Sequence, residues 1–192
     1  MFKESLQFAL QDIPKLFHDC TLESFKGKNK LKSIAQEFIT DFSENPTHLF
    51  LTGPTGVGKT HLAIAVYQEL HKLGLIQKED FNFINITDFL FLIRATYQNK
   101  YDGRSEFEIV NDIQDSKLLI LDDLGTEKSS DFAIQTLYMI INYRISNILP
   151  TIITTNLSLE EIEEKLNARI ASRLCVMETV QVGGDDYRKK GK

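Results

Sequence analysis

The chain has 192 residues, and its 42% hydrophobic and 26% charged residues are typical of a globular protein rather than a disordered or fibrous one. This length fits one α/β domain and fits two domains poorly. The formal net charge is −5, which excludes a protein that is basic overall, so any contact with nucleic acid has to be regional. The apolar runs are all much shorter than the roughly 20 residues that a membrane helix needs.

The N-terminus and the cysteines favour a cytoplasmic protein without a membrane partner. The first residues, MFKESLQFALQDIP, include acidic side chains and lack the pattern of a secretory signal. Cys20 and Cys175 are far apart in the sequence, which argues against a disulfide framework or a zinc site. We expect both to be buried small side chains.

Hydrophobic patterning predicts helices that alternate with strands. After an irregular segment, apolar residues at helical spacing predict an amphipathic helix over 31–42. Strands are predicted at 48–52, 81–86, 117–123, 150–156 and 176–182. Further helices are predicted at 62–73, at 88–101 with Thr87 as its N-cap, from Ser129 or Ser130 to Ile145, after Ser158, and around Arg169 and Arg173. This alternation indicates a parallel sheet with right-handed crossovers.

The segment 49–60 reads LFLTGPTGVGKT, an apolar run that leads into the pattern G-x-x-x-x-G-K-T. Glycines in such a loop let successive backbone N–H groups turn towards a phosphate, and a helix N-terminus favours anions. Lys59 would reach the β- and γ-phosphate oxygens, and the hydroxyl of Thr60 could hold Mg²⁺. The sequence therefore predicts a nucleoside triphosphate site formed by Gly53, Pro54, Thr55, Gly56, Val57, Gly58, Lys59, Thr60 and His61.

Two later strands also end in polar residues. Asp122 ends the buried run LLILD, at the rim where ligands bind in open α/β sheets, and it could accept a hydrogen bond from water bound to Mg²⁺. Asp123 points to a different side of the chain and could polarise an attacking water; a solvated acid is the alternative for each. Asn156, with Thr155 as second choice, could lie between the γ-phosphate and the acid, or could simply bond backbone in a turn.

Three arginines near the C-terminus are candidates for contact with phosphate. Arg169 and Arg173 are four residues apart and share one helix face, from which a rigid helix could offer a guanidinium to the γ-phosphate of a neighbouring subunit. A solvated basic face is the alternative. Arg188, beside Tyr187, could approach the triphosphate of its own subunit, although chain ends are often disordered.

Together, the segments GPTGVGKTHLA, LLILDDLGTE, LPTIITTNL, RIASRL and GDDYR resemble the AAA+ domain of DnaC/DnaI-type bacterial helicase loaders and the related IstB transposition ATPases. The resemblance extends from about Ile13 to Arg188. It implies the α/β class and a P-loop NTPase fold, with three α/β/α layers around a five-stranded, mainly parallel sheet of order 5-1-4-3-2, and no helical lid domain. It also implies an N-terminal extension over 1–30 and an AAA+ ATPase domain over 31–192.

The resemblance assigns roles to the residues of the nucleotide site. Lys59 and Thr60 would be the Walker A pair, and Asp122 and Asp123 the Walker B pair, with Mg²⁺ held by Thr60 and Asp122. Asn156 would be sensor I. A glutamate is usual in place of Asp123, whose shorter side chain suggests slow hydrolysis.

The resemblance also assigns roles outside the phosphate loop. Arg173 would be an arginine finger with Arg169 beside it, and both would act catalytically on the ATP of a neighbouring copy. Arg188 would be the sensor II arginine. Contacts to single-stranded DNA would come from the segment 87–104, with Tyr97 or Tyr101 stacking on bases and with three cations, Arg94, Lys100 and Arg104. An amphipathic helix with solvated cations is the alternative.

The function implied is that of an ATPase of DNA replication, with ATP and Mg²⁺ as cofactors. It would load or remodel a hexameric replicative helicase on single-stranded DNA, and its slow hydrolysis would be stimulated by DNA or by a partner. Its partners would be the helicase, the DNA and further copies of itself across the ATP site. The alternatives are an IstB-like helper of DNA transposition, a small-molecule kinase, and a module that holds ATP without useful turnover.

Overall fold

The computed structural model describes residues 13–97, 105–125 and 130–189. The strands are β1 His48–Thr52, β2 Phe81–Asn85, β3 Leu118–Asp122, β4 Thr151–Thr155 and β5 Glu178–Gln181. The α-helices are α1 Asn29–Asp41, α2 Lys59–Lys72, α3 Ile86–Tyr97, α4 Glu106–Asp115, α5 Asp131–Ser146, α6 Leu159–Lys165 and α7 Ala168–Leu174. Short 3₁₀ helices lie at Lys15–Phe17 and Lys78–Asp80.

The strands form one sheet in the order β2-β3-β4-β1-β5, and every paired strand is parallel to its neighbour. The predicted order 5-1-4-3-2 is confirmed, since it is the same order read from the opposite edge. Because the strands are parallel, their carboxyl ends meet at one edge of the sheet. Thr52 pairs with Thr155 there, and Asp122 follows Leu121, which pairs with Ile153.

Helices cover both faces of the sheet, as the three-layer prediction requires. Successive strand residues point to opposite faces, so Leu49 and Leu51 pack with α1 and α2 while Phe50 packs with α3 to α7. Burial on both faces explains why β3 is an unbroken apolar run rather than an alternating one. Among the described residues, none of the helices combines the length and hydropathy that a bilayer crossing demands.

Three local features differ from the sequence predictions. Helix α4 was not predicted, although Ser105 and Glu108 form a capping box at its start. Helix α3 begins at Ile86, two residues before the predicted start, and the side chain of Asn85 accepts the backbone N–H of Thr87 there at 3.1 Å. Cys175 is exposed rather than buried, whereas Cys20 is buried as expected.

Arg144 ties together elements at the amino edge of the sheet. Its side chain is fully buried, and its guanidinium donates to the carbonyl oxygens of Gln114 and Ser116 at 2.8 Å and of Pro150 at 2.6 Å. It also donates to the hydroxyl of Thr151 at 2.9 Å. A planar fork with five donors suits this role, because it can reach the end of α4 and the start of β4 at once.

Replacing Arg144 should therefore unfold the protein more easily. Arg144→Met leaves several buried carbonyls without a donor, and we expect a loss of about 3 kcal/mol or more in the free energy of unfolding, measured with urea. Arg169→Met removes an exposed arginine and should change stability by no more than about 0.5 kcal/mol. Equal losses in the two variants would contradict the role given to Arg144.

The turn after α5 holds a residue that is poorly suited to its backbone. Leu149 N–H donates to Arg144 at 2.9 Å and Ile148 N–H donates to Ile145 at 3.2 Å, which is the Schellman pattern of a helix end. The position of Ile148 in this pattern usually carries glycine because φ is positive, and Ile148 has φ 53°. A β-branched side chain is strained there.

We expect Ile148→Gly to stabilise the protein by about 1 kcal/mol, because glycine adopts this conformation without strain. In a chain of this size the melting temperature should rise by about 2–4 °C in thermal unfolding followed by circular dichroism. Asn147→Gly is the matched control, since φ is −101° at Asn147 and glycine gains nothing there. A lower melting temperature for Ile148→Gly would show that the side chain contributes more than the strain costs.

Candidate nucleotide site

The loop between β1 and α2 has positive φ at three glycines, Gly53, Gly56 and Gly58, a backbone conformation that other residues rarely adopt. Gly53 has φ 145°, and a Cβ there would collide with the carbonyl oxygen of Val182. Gly58 has φ 97° and directly precedes the first turn of α2. The loop can therefore approach the last strand closely and present backbone N–H groups at the start of a helix, which is the geometry that binds phosphate.

Lys59 is buried at the start of α2, and its ammonium group is held by three oxygens. Nζ donates to the carbonyl oxygens of Gly53 and Pro54 at 2.8 Å each and to Oδ1 of Asn156 at 2.6 Å. Burial lowers the pKa of Lys59, while the nearby Asp123 and Asp122 raise it. Phosphate oxygens entering this position would replace carbonyl oxygens as partners of the same three donors.

Asp122, at the end of β3, is a buried carboxylate with two hydroxyl donors on the same oxygen. Oδ1 accepts from Oγ1 of Thr60 and from Oγ1 of Thr154, both at 2.8 Å. Burial, followed by the charge of Asp123, raises the pKa of Asp122 to about 6, and the two hydrogen bonds oppose this shift. A hydroxyl and a carboxylate side by side are the hard oxygen donors that Mg²⁺ takes, so the residues present fit this ion.

Asp123 takes a different direction from Asp122 because the chain turns sharply after β3. Its φ is 60°, an uncommon conformation for a residue other than glycine, and its N–H donates to Oγ1 of Thr154 at 3.0 Å. The side chain is half-buried and lines the cavity above the phosphate loop. The two acids therefore face different surroundings, one inside the sheet edge and one towards the cavity.

A cavity of about 560 Å³ lies over the phosphate loop. The predicted site residues that line it are Thr55, Gly56, Gly58, Lys59, Thr60, His61, Asp123, Asn156 and Arg188. Gly53, Pro54 and Val57 belong to the loop without lining the cavity, and Asp122 lies behind Thr60. One side of the cavity is apolar and was not predicted, and its walls include Leu16, Phe17, Cys20, Phe25 and Tyr187.

Two connections hold this apolar side in place. Nε2 of His61, in the first turn of α2, lies 3.1 Å from the carbonyl oxygen of Thr21 and 3.1 Å from the hydroxyl of Ser24. Tyr187 donates its N–H to Gly56 at 3.0 Å and its hydroxyl to the carbonyl oxygen of Lys26 at 2.9 Å. In the sequence, the apolar side of the cavity was indicated only by the scattered aromatic residues of the N-terminal segment.

The polar residues after β4 divide between two environments. Asn156 lines the cavity and accepts from Lys59. The hydroxyl of Thr155, the second choice, instead donates to the carbonyl oxygen of Leu124 at 2.7 Å and accepts from the N–H of Leu157. Thr155 therefore faces away from the cavity, while Thr154 contacts the acids.

Arg169 and Arg173 lie on α7, and neither lines the cavity of its own chain. Arg169 is exposed and Arg173 is partly exposed, because Ile170 and Leu174 occupy the buried face of the helix. Over the described ranges, neither guanidinium has a salt-bridge partner. The two side chains are therefore available to a second molecule.

The three cations predicted to contact DNA lie outside the described residues, either entirely or in their side chains. Arg94 belongs to α3, but its side chain lies outside the described part of the structure, as do Lys100 and Arg104 entirely. Within the three described ranges, no cluster of at least three His, Cys, Asp or Glu residues could hold a metal ion. Mg²⁺ bound with a nucleotide usually takes only one or two carboxylates from the protein.

Comparison with known proteins gives consistent matches. The model of a family described as IstB-like ATP binding protein matches residues 5–192. The replicative helicase loader DnaC of Escherichia coli strain K12 is 27% identical over 189 residues, which cover 95% of this chain and 75% of that protein. The crystal structure of the DnaC helicase loader aligns with a TM-score of 0.76 at 27% identity, over 88% of this chain and 100% of that one. AMPPCP-bound DnaA from Aquifex aeolicus, at 20% identity and a TM-score of 0.73 over 92% of this chain and 53% of that one, shares the fold.

The raised pKa of Asp122 predicts how stability depends on pH. Between pH 4 and 6 the folded state keeps a proton on Asp122 that the unfolded chain has lost, so this carboxyl should lower the stability of the nucleotide-free protein by up to about 3 kcal/mol as the pH rises through this range. Asp122→Asn keeps an oxygen acceptor for Thr60 and Thr154 without the buried charge. This variant should match the native protein near pH 4 and be more stable at pH 7.

Urea unfolding in EDTA at several pH values measures this difference. Glu163→Gln, on the exposed side of α6, controls for the loss of one negative charge and should change stability by no more than about 0.5 kcal/mol. A loss of stability at pH 7 in Asp122→Asn would mean that the carboxylate is well compensated in the empty site.

Proposed function

Because the chain belongs to the family of IstB-like ATP-binding proteins, we propose that it is a slow, Mg²⁺-dependent ATPase that loads or remodels a hexameric replicative helicase on single-stranded DNA. The observation that carries this proposal is the meeting of Lys59, Thr60, Asp122, Asp123 and Asn156 at one edge of a parallel sheet. The similarity to a protein named replicative helicase loader over 95% of this chain supports the choice of helicase loading.

ATP would bind with its phosphates in the loop and its base on the apolar side of the cavity. Lys59 would exchange carbonyl oxygens for phosphate oxygens, and Arg188 would approach the phosphates from the tail. The base would lie near Phe25 and Tyr187, which form part of the apolar wall. In this proposal, residues 1–30 are an N-terminal extension, of which residues between 16 and 26 form part of the base side, and 31–192 form the ATPase domain.

Hydrolysis would use Asp123 and Asn156 on the attacking water. The water oxygen forms a bond to the γ-phosphorus as the bond from that phosphorus to the β–γ bridging oxygen breaks, and Asp123 accepts the proton that the water loses. The products are ADP and inorganic phosphate. Mg²⁺, held by Thr60 and Asp122, would neutralise charge on the β- and γ-phosphates.

A second copy of the chain would complete the site. Arg169 is exposed, Arg173 is partly exposed, and neither lines the cavity of its own subunit, which suits guanidinium groups that act on the γ-phosphate of a neighbour. DNA would contact Arg94, Lys100 and Arg104. Binding of ATP would thereby be linked to assembly around single-stranded DNA.

The first experiment measures ATP turnover and sedimentation together, with and without single-stranded DNA. We expect ATP and DNA to promote assembly and turnover, and Arg173→Ala to reduce turnover by about 10³-fold because an arginine finger stabilises charge in the transition state. Lys165→Ala removes an exposed cation from the neighbouring helix α6 and should behave as the native protein.

Mixed subunits test whether the arginine acts across an interface. Lys59→Ala has a defective ATP site with an intact Arg173, and Arg173→Ala has the converse, so a mixture should regain turnover that neither variant shows alone. If the protein stays monomeric, and its rate of ATP turnover is the same with and without DNA and in Arg173→Ala, the result would favour a small-molecule kinase. A salt-sensitive preference for duplex over single-stranded DNA would favour a helper of transposition.

A further inference from the structure

The hydroxyl of Thr154 contacts both acids at the end of β3. Oγ1 donates to Oδ1 of Asp122 at 2.8 Å and accepts from the backbone N–H of Asp123 at 3.0 Å. The side chain is fully buried, so water does not compete for these bonds. A hydroxyl has one donor and two acceptor positions, and Thr154 uses both functions on successive residues of one turn.

The same residue also holds the turn through its backbone. The carbonyl oxygen of Thr154 accepts from the N–H of Leu124 at 2.9 Å. Asp122, Asp123 and Leu124 are thus each bonded to Thr154, by its side chain or its carbonyl. Asp123 has φ 60°, and this conformation directs its side chain into the cavity while Asp122 remains behind Thr60. A strained conformation of this kind persists only where neighbouring contacts determine it.

We propose that Thr154 is a positioning residue for ATP hydrolysis, whose hydroxyl sets the direction of the Asp122 carboxylate and of the Asp123 side chain together. This proposal rests on the ATPase function proposed above. The carboxylate oxygen that accepts from Thr154 also accepts from Thr60, so two hydroxyls from different elements, β4 and α2, hold it. Thr154 itself does not line the cavity, and it acts through the acids.

Thr155 is a matched control on the same strand. Its hydroxyl is fully buried as well, and it also donates once and accepts once, to Leu124 at 2.7 Å and from Leu157 at 3.1 Å. It contacts neither acid. Loss of this hydroxyl therefore carries the cost of removing a buried polar group without disturbing Asp122 or Asp123 directly.

The experiment compares Thr154→Val, Thr154→Ser and Thr155→Val with the native protein. Steady-state kinetics give kcat and KM, and titration with a fluorescent ATP analogue gives nucleotide affinity in EDTA and the Mg²⁺ concentration for half-maximal binding. For Thr154→Val we expect kcat to fall and the Mg²⁺ requirement to rise, each by about 10-fold or more, because partners that orient metal ligands have effects of this size.

The other measurements separate positioning from general damage. Affinity for the analogue in EDTA should stay within about twofold in Thr154→Val, since phosphate-loop contacts are intact. Thr154→Ser keeps the hydroxyl and should restore both kcat and the Mg²⁺ requirement, whereas Thr155→Val should leave the Mg²⁺ requirement unchanged. Equal effects of Thr154→Val and Thr155→Val, or failure of serine to restore function, would overturn the proposal.

Two further outcomes remain interpretable. If Thr154→Val does not fold, Thr154→Cys replaces it, because cysteine is close to threonine in volume and its thiol is a weaker hydrogen-bond donor, so this variant should show the same defects relative to Thr154→Ser. If the native protein binds the analogue without hydrolysing ATP, the proposed ATPase function fails. The Mg²⁺ dependence of analogue binding still tests Thr154 in that case.

Discussion

The site depends on the burial of one carboxylate, Asp122, at the edge where β3 ends. A charge removed from water is costly unless hydrogen bonds and opposite charge compensate it. Two hydroxyls, one from α2 and one from β4, donate to the same oxygen, and the ammonium of Lys59 lies nearby. These groups meet because β4 lies between β1 and β3 in a parallel sheet, so that the phosphate loop and both strand ends share one edge. The compensation is incomplete, since the pKa of the carboxyl still rises to about 6.

Incomplete compensation is what a binding site for a cation and a phosphate requires. A buried carboxylate with a raised pKa is stabilised when a divalent cation supplies the positive charge that its surroundings lack. Lys59 is in the corresponding position for the anion, because its donors are satisfied by carbonyl and amide oxygens that phosphate can replace. Stability and ligand binding are therefore opposed within this cluster, as is common where charged groups are held for function.

The parts predicted correctly are those whose signal is local. Helix and strand periods produced the succession of elements along the chain, because a buried parallel strand and an amphipathic helix differ in their hydrophobic spacing, whereas the sheet order came from the family resemblance. The phosphate loop and Asn156 lie together at the cavity, because glycine spacing and strand ends have direct consequences for backbone geometry. Helix α4 was missed despite its capping box, and the apolar wall of the cavity was missed because it joins segments far apart in the chain. The bond from Tyr187 to Lys26, for example, spans 161 residues and leaves no periodic pattern.

The sequence by itself determined the fold class, the phosphate loop and the two acids where β3 ends, since each follows from the order of residues along one segment. Only the tertiary structure decided which hydroxyl of the pair Thr154 and Thr155 serves those acids. Adjacent strand residues point to opposite faces, and the pairing of β4 with β3 places Thr154 on the side of Asp122. The buried guanidinium of Arg144 was likewise decided by packing, because its carbonyl partners become neighbours only after α4, α5 and β4 have come together.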